Sequence, residues 1–347
     1  MKKFAGLLLV VLTLGALTGV VLAENALLIN GAGATFPNPI YSKWFAEYGK
    51  QKSGVQFNYQ SVGSGAGIKQ VTDGTVDFGA SDGPMNEDQL KAYQEKHGFP
   101  ILHFPTVLGA AVPTYEIPGV TATLNFTPEA LAGIFLGKIT MWNDPAITSV
   151  NKGVNLPAKS ITVVHRSDGS GTTYIWTDYL SKVSDEWKGK VGKNTSVNWP
   201  VGLGGKGNEG VTGQIKNAPY SIGYVELIYA AANHIPYGNV KNSSGEFIKA
   251  DFTTVSAAAA AASKDMPDDF RVSITNASGK TAYPISSFTW LLIPSKFSAA
   301  DAGKRDAIKG FLNWALTDGQ GYAEGLAYAK LPKPVVDKEL KAINNIQ

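Results

Sequence analysis

Arg166, Ser167, Asp168, Gly169, Ser170, Gly171, Thr172 and Thr173 gather a permanent cation, four hydroxyl side chains and two glycines within eight residues. Such a run can cradle an oxyanion. Before it, Ile161 to Val164 read as a β-branched, largely apolar strand, and after it Ile175, Tyr179, Leu180 and Val183 recur on one helical face. The run therefore falls where a helix begins, and the first N–H groups of a helix lack intrahelical acceptors and carry the positive end of its dipole. The other reading is a capped turn in which Arg166 simply pairs with Asp168, and this run alone does not choose between the two.

Two more loops have the same character. Thr35 and Phe36 follow Gly31, Ala32, Gly33 and Ala34, ahead of a face made by Ile40, Trp44, Phe45 and Tyr48; Ser64 follows Gly63, ahead of Ile68 and Val71. Ligands of open α/β sheets bind beyond the carboxyl ends of strands, which is where these loops fall, as does Asp82 after the expected strand Val76 to Ala80. Three unrelated N-caps would look the same. Asp82 adds a chemical distinction. An ionised carboxylate only accepts hydrogen bonds, so it suits an anion that still carries a proton, such as hydrogen phosphate, and repels fully ionised sulfate. Its alternative role is a turn residue before Gly83 and Pro84.

Short apolar strands alternate with amphipathic helices along the chain, an α/β pattern with mainly parallel sheet, and 347 residues suffice for about two domains. Lys2 and Lys3, an apolar stretch through Leu7 to Leu12, and Val21, Leu22, Ala23 make residues 1–23 read as a secretory signal peptide cut after Ala23. Without it the formal charge falls from +3 to +1, with 29 basic against 28 acidic residues, which argues against nucleic acid or an anionic membrane as the main partner. There is no cysteine, hence no disulfide, thiolate metal site or lipid acceptor. Gly31 and Gly33 lack the third glycine of a dinucleotide fingerprint, where Phe36 stands, and Pro200 and Gly207 break a P-loop reading around Lys206. His165, Asp168 and Ser170 crowd together too closely for a triad, with no Gly-x-Ser-x-Gly elbow. The histidines at 97, 103, 165 and 234 lack metal spacing and read as surface or loop residues.

Four ordered motifs carry a family resemblance: Gly31 to Pro37, Val76 to Asp82, Ser167 to Thr172, and Gly202 to Gly207. Together they resemble the phosphate-binding subunit of the bacterial phosphate-specific ABC transporter, over essentially the whole chain after residue 23. The resemblance implies a two-lobed type II periplasmic binding protein fold, each lobe a central mixed β-sheet flanked by helices, with two crossover strands as hinge. Lobe I would take residues 24–105 and 284–347, and lobe II residues 106–283. Phosphate would be held by Thr35, the Phe36 N–H, Ser64 and Asp82 from one lobe, and by Arg166, Ser170, the Gly171 N–H and Thr172 from the other, with Asp168 orienting Arg166. No metal or cofactor is implied, and the partners would be transmembrane permease subunits with cytoplasmic ATPase subunits. The protein would be a periplasmic monomer and not an enzyme. A secreted phosphomonoesterase using Ser170 or Thr172 as nucleophile, and a surface adhesin that keeps only the fold, are the competing readings.

Overall fold

The computed structural model describes residues 26–263 and 266–347. The expected signal peptide lies outside them. Glycine-rich turns alternate with strands and helices in this order: β1 (Leu27–Gly33), α1 (Asn38–Gln51), β2 (Val55–Ser61), α2 (Ser64–Asp73), β3 (Phe78–Ser81), α3 (Glu87–His97) and β4 (Ile101–Glu116). Next come β5 (Asn125–Phe126), α4 (Pro128–Phe135), α5 (Pro145–Thr148), β6 (Thr162–Arg166), α6 (Gly171–Val183), α7 (Asp185–Lys190), β7 (Leu203–Gly205), α8 (Gly207–Asn217), β8 (Ser221–Glu226) and α9 (Leu227–Ala232). The remainder is β9 (Asn239–Lys241), β10 (Phe247–Ile248), α10 (Phe252–Ala262), β11 (Ser286–Pro294), α11 (Ala302–Leu316) and α12 (Lys333–Ala342).

Local chemistry explains the boundaries that matter for the site. Gly74 ends α2 in the left-handed conformation, and Asn86 and Gln89 close a capping box at the start of α3. Thr127 caps α4 ahead of Pro128, and Ser170 caps α6 by accepting the Thr173 N–H.

The strands form an eight-stranded sheet ordered β2-β1-β3-β11-β4-β8-β6-β7, beside a small sheet of β10-β9-β5. Within each half of the large sheet the βα units pair in parallel, β1 with β2 and β3, β6 with β7 and β8. The middle is antiparallel, because the chain passes between the halves there: β11 runs against β3 and β4, and β4 against β8. The sheet is thus mixed, with its antiparallel share confined to the crossing. The chain makes that crossing twice, once along the long strand β4 and again as it enters β11 at Ser286, opposite Ala110. Residues Ile101 to Ala110 of β4 pair with β11, and residues Ala111 to Glu116 pair with β8.

Aromatic packing holds helices onto both halves of the sheet. Phe45 of α1 stacks on Phe57 of β2 at 5.0 Å, and Phe311 of α11 closes on Phe57 at 4.7 Å, so the C-terminal segment packs against the first strands. In the other half Trp176 of α6 stacks on Tyr224 of β8 at 5.0 Å. His103 corrects the expectation of a surface or loop histidine. It is buried in β4 and its Nε2 accepts the Met85 N–H, because β4 is covered on both faces. Burial, with the Arg271 charge adding, pushes its pKa down to about 3. No helix among the described residues is long and apolar enough to cross a membrane.

Glu339 on α12 is the odd residue of this core. It is fully buried, and neither carboxyl oxygen has a hydrogen-bond partner among the described residues. Burial lifts its pKa well above the ordinary carboxylate value. Between the ordinary and the raised pKa the folded state keeps a proton that the unfolded chain releases, so stability falls as pH rises through that window. Glu339→Leu is therefore expected to stabilise the protein by about 1–3 kcal/mol at pH 5 and by more at pH 8, read from thermal melts. A variant that melts lower at both pH values would contradict this.

Candidate functional site

The three loops and Asp82 meet at the crossing between the halves of the sheet. Thr35 and Phe36 lie in the turn between β1 and α1, Ser64 is the first residue of α2, and Asp82 follows β3. Across from them stand Arg166 at the end of β6, Ser170 as N-cap of α6, and Gly171 and Thr172 in its first turn. Every one of these side chains is buried. The loops touch: the Gly65 N–H donates to the Gly169 carbonyl at 2.8 Å, and a Cβ built on Gly171 would lie 2.4 Å from Asp82 Oδ2 and 2.5 Å from Ser64 Oγ. Only a glycine lets the two loops approach so closely.

Each polar side chain is held by a neighbour. Arg166 forms a fork with Asp168, Nε to Oδ1 at 2.8 Å and Nη2 to Oδ2 at 2.5 Å, while the Gly207 N–H donates to the same Oδ1 at 3.0 Å. Burial alone would raise the pKa of Asp168, but the Arg166 hydrogen bonds and charge outweigh it and hold the carboxyl below its ordinary value. The third guanidinium nitrogen, Nη1, reaches Thr172 Oγ1 at 3.3 Å. Ser64 Oγ accepts the Asp82 N–H at 3.2 Å, and Ser170 Oγ accepts the Thr173 N–H at 3.0 Å. Each of these two hydroxyls thus keeps its own proton to give away.

Asp82 has the opposite environment from Asp168. Burial drives its pKa up to about 7, even though a Thr289 hydrogen bond, the Arg166 charge and Ser64 pull it down. Thr289 Oγ1 donates to Oδ1 at 2.8 Å, which turns the other oxygen, Oδ2, toward Gly171. The Phe36, Gly171 and Thr172 N–H groups have no acceptor among the described residues. The first residues of α2, α6 and α8 lie together here, Gly171 against Ser64 and Asn208 on Thr35, so the polar surroundings favour an anion although Arg166 and Asp168 nearly cancel in charge.

All eight candidate residues and Asp168 thus come together. Sequence reasoning missed three others. Thr289 sits on β11, far from any motif, and only the antiparallel register of β11 against β3, with Trp290 opposite Ser81, places it beside Asp82. Asn208, fully buried, donates from Nδ2 to Thr35 Oγ1 at 2.8 Å and to Thr172 Oγ1 at 3.2 Å; it immediately follows the Gly202 to Gly207 motif, and that adjacency was its signal. Glu226, also fully buried, accepts the Ile228 N–H on Oε2 at 2.8 Å. Burial and the Asp82 charge hold its pKa well above the ordinary value.

The imidazole of His165 stacks on Trp199 at 4.8 Å and its Nδ1 lies 2.9 Å from the Arg166 carbonyl, so it is engaged away from Ser170. Among the described residues no group of three or more His, Cys, Asp or Glu is placed to hold a metal ion.

A mixed sheet in two halves, joined along β4 and pinched around a polar site, defines a two-lobed binding-protein fold. A family model described as a PBP superfamily domain matches residues 21–319. The phosphate-binding protein PstS of Pasteurella multocida is 45% identical over 339 residues, 97% of this chain and 94% of its own. That of Haemophilus influenzae is 42% identical over 327 residues, covering 94% of each. Among solved structures, a high-affinity periplasmic phosphate-binding protein bound with phosphate superposes with a TM-score of 0.69 at 20% identity, covering 90% of this chain and 92% of that one. The chain belongs to the PBP superfamily and, within it, to the PstS family of phosphate-binding proteins.

Proposed function

We propose that this protein binds inorganic phosphate between its two lobes and delivers it to the membrane permease of an ABC transporter. The observation that carries the reading is the convergence of hydroxyl and N–H donors from both halves of the sheet on one place, with the Asp82 Oδ2 acceptor turned toward Gly171 among them. Donors from one side are the Thr35 hydroxyl, the Phe36 N–H and Ser64. From the other come Arg166, Ser170, the Gly171 N–H and Thr172, with Asp168 aiming the guanidinium. Asp82 takes the proton that hydrogen phosphate still carries.

On this reading segments 24–105 and 284–347 form one lobe and 106–283 the other, hinged where the chain crosses along β4 and back into β11. Phosphate stabilises the closed form because only that form offers both sets of donors. The permease, with its ATPase subunits, then receives the closed protein. On this reading the protein works as a monomer that carries phosphate unchanged and needs no cofactor, and His165, the histidine nearest Ser170 in sequence, is engaged with Trp199 and the Arg166 carbonyl instead. The charged, apolar and small-residue succession of residues 1–23 supports export and a periplasmic address.

Calorimetric titration tests the reading. Phosphate is expected to bind at micromolar concentration or tighter, sulfate far more weakly at pH 8, and a chromogenic phosphate ester is expected not to turn over. Strong sulfate binding without phosphate binding, or turnover of the ester, would overturn it. Closure is tested separately by Gly171→Ala. The added methyl would collide with Asp82 and Ser64 across the cleft, so affinity for phosphate is expected to fall about a hundredfold, with solution scattering showing an open molecule at phosphate levels that close the unaltered protein.

A further inference from the structure

Asn208 lies outside the set of groups that the phosphate reading assigns to the ligand, yet its side chain bonds hydroxyls on both sides of the cleft, those of Thr35 and Thr172. Its Oδ1 accepts the Glu226 N–H at 2.9 Å, which fixes the orientation of the amide and aims Nδ2 at the cleft. From there Nδ2 donates to Thr35 Oγ1 and to Thr172 Oγ1, and the Asn208 N–H adds a second bond to Thr35 Oγ1 at 3.3 Å. Thr172 Oγ1 also accepts from Arg166 Nη1. Each threonine oxygen therefore accepts two hydrogen bonds, and an sp³ hydroxyl with both lone pairs engaged has only its proton left to offer.

We propose that Asn208 is a positioning residue that sets the direction of the Thr35 and Thr172 protons, so that both hydroxyls can only donate to the bound anion, and that it makes this setting for Thr35 only when the lobes close. The inference rests on the phosphate reading of the site. Thr35 belongs to the β1–α1 turn, whereas Asn208, Thr172 and Glu226 all belong to the opposite half. Opening the cleft breaks the Asn208 bonds to Thr35 and leaves those to Thr172 and Glu226. A free threonine hydroxyl rotates and can present a lone pair to the ligand, which an anion rejects; the closed form removes that choice before it costs affinity.

The test is a double-mutant cycle read by calorimetry with inorganic phosphate. Asn208→Ala in the unaltered protein is expected to weaken binding about tenfold, and less than threefold when Thr35→Val and Thr172→Val have already removed the hydroxyls. Losses that multiply independently in the two backgrounds, or an Asn208→Ala protein that binds within twofold of the unaltered one, would overturn the proposal. Asn208→Asp is the companion variant, because it keeps an acceptor for the Glu226 N–H even if the alanine variant fails to fold. Its carboxylate can only accept, so it turns both hydroxyl protons away from the anion. Binding at pH 8 is expected to fall at least about a hundredfold and to recover toward the unaltered protein as the introduced carboxyl takes up a proton at lower pH. In the Thr35→Val, Thr172→Val background the same substitution should cost at least about tenfold less; an equal cost there assigns the loss to charge repulsion alone and overturns the proposal. Absence of phosphate binding by the unaltered protein would instead refute the phosphate reading itself.

Discussion

Arg166→Ala is expected to weaken phosphate binding between about a hundredfold and several thousandfold, the range that follows from removing one member of a desolvated charged pair at about 3–5 kcal/mol. The guanidinium is almost wholly buried and engages Asp168 with two nitrogens and Thr172 with the third. Its removal does more than delete a cation. The Asp168 carboxylate stays behind, still fixed by the Gly207 N–H, and now faces the incoming anion without its partner. Two consequences distinguish this account from general damage to the fold. Adding Asp168→Ala to Arg166→Ala should restore part of the lost affinity, because it removes the stranded charge. The Arg166→Ala deficit should also shrink as pH falls: Asp168 is held below its ordinary pKa mainly by Arg166, so without that cation its pKa rises and protonation neutralises it sooner. Arg166→Lys is expected to behave much more like the alanine variant than like the native protein, since an ammonium cannot reproduce the fork. Calorimetry across pH checks all three. Arg166→Ala binding within tenfold of the unaltered protein would remove Arg166 from the site.

How much of this was legible in the sequence depends on how local the signal was. The βα turns were readable because their cause lies within a few residues: Ser170 caps the helix that it precedes, Gly74 ends α2 with a backbone conformation few other residues adopt, and the apolar positions of α6 repeat on one face. The fork between Arg166 and Asp168 was readable for the same reason, being two residues apart. Thr289 was not. Its role depends on β11 returning through more than 200 residues to lie against β3, and then on a register that a one-residue slip would reverse. Asn208 carried a motif beside it but no periodicity or charge of its own. The antiparallel centre of the sheet was equally hidden, because nothing in β4 marks Ala110 and Ala111 as the place where one strand changes partners.

The same hidden contact decides what Asp82 can discriminate. Asp82→Asn is expected to give sulfate an affinity about tenfold above that of the unaltered protein at pH 8 and about a hundredfold above it at pH 9, while phosphate loses only about tenfold. Thr289 donates to Oδ1 of Asp82, so an amide in its place puts its oxygen on Thr289 and its NH₂ where Oδ2 now faces the ligand. The site then presents donors on every side, which suits sulfate, whereas phosphate must leave its own proton without an acceptor. In the unaltered protein sulfate has one other route, a protonated Asp82. Its pKa is raised to about 7, so sulfate affinity should climb about tenfold per pH unit from pH 9 down to about 7 and level off below, while the Asn variant shows no such slope. Ligand-free stability carries the matching sign. Between the ordinary carboxylate pKa and about 7 the native state keeps a proton that the unfolded chain has lost, which takes stability away as pH rises through that window, up to about 4 kcal/mol by pH 8. Asp82→Asn should therefore melt higher than the unaltered protein at pH 8 and no higher at pH 4. A sulfate slope that survives the substitution would assign the discrimination to some other group.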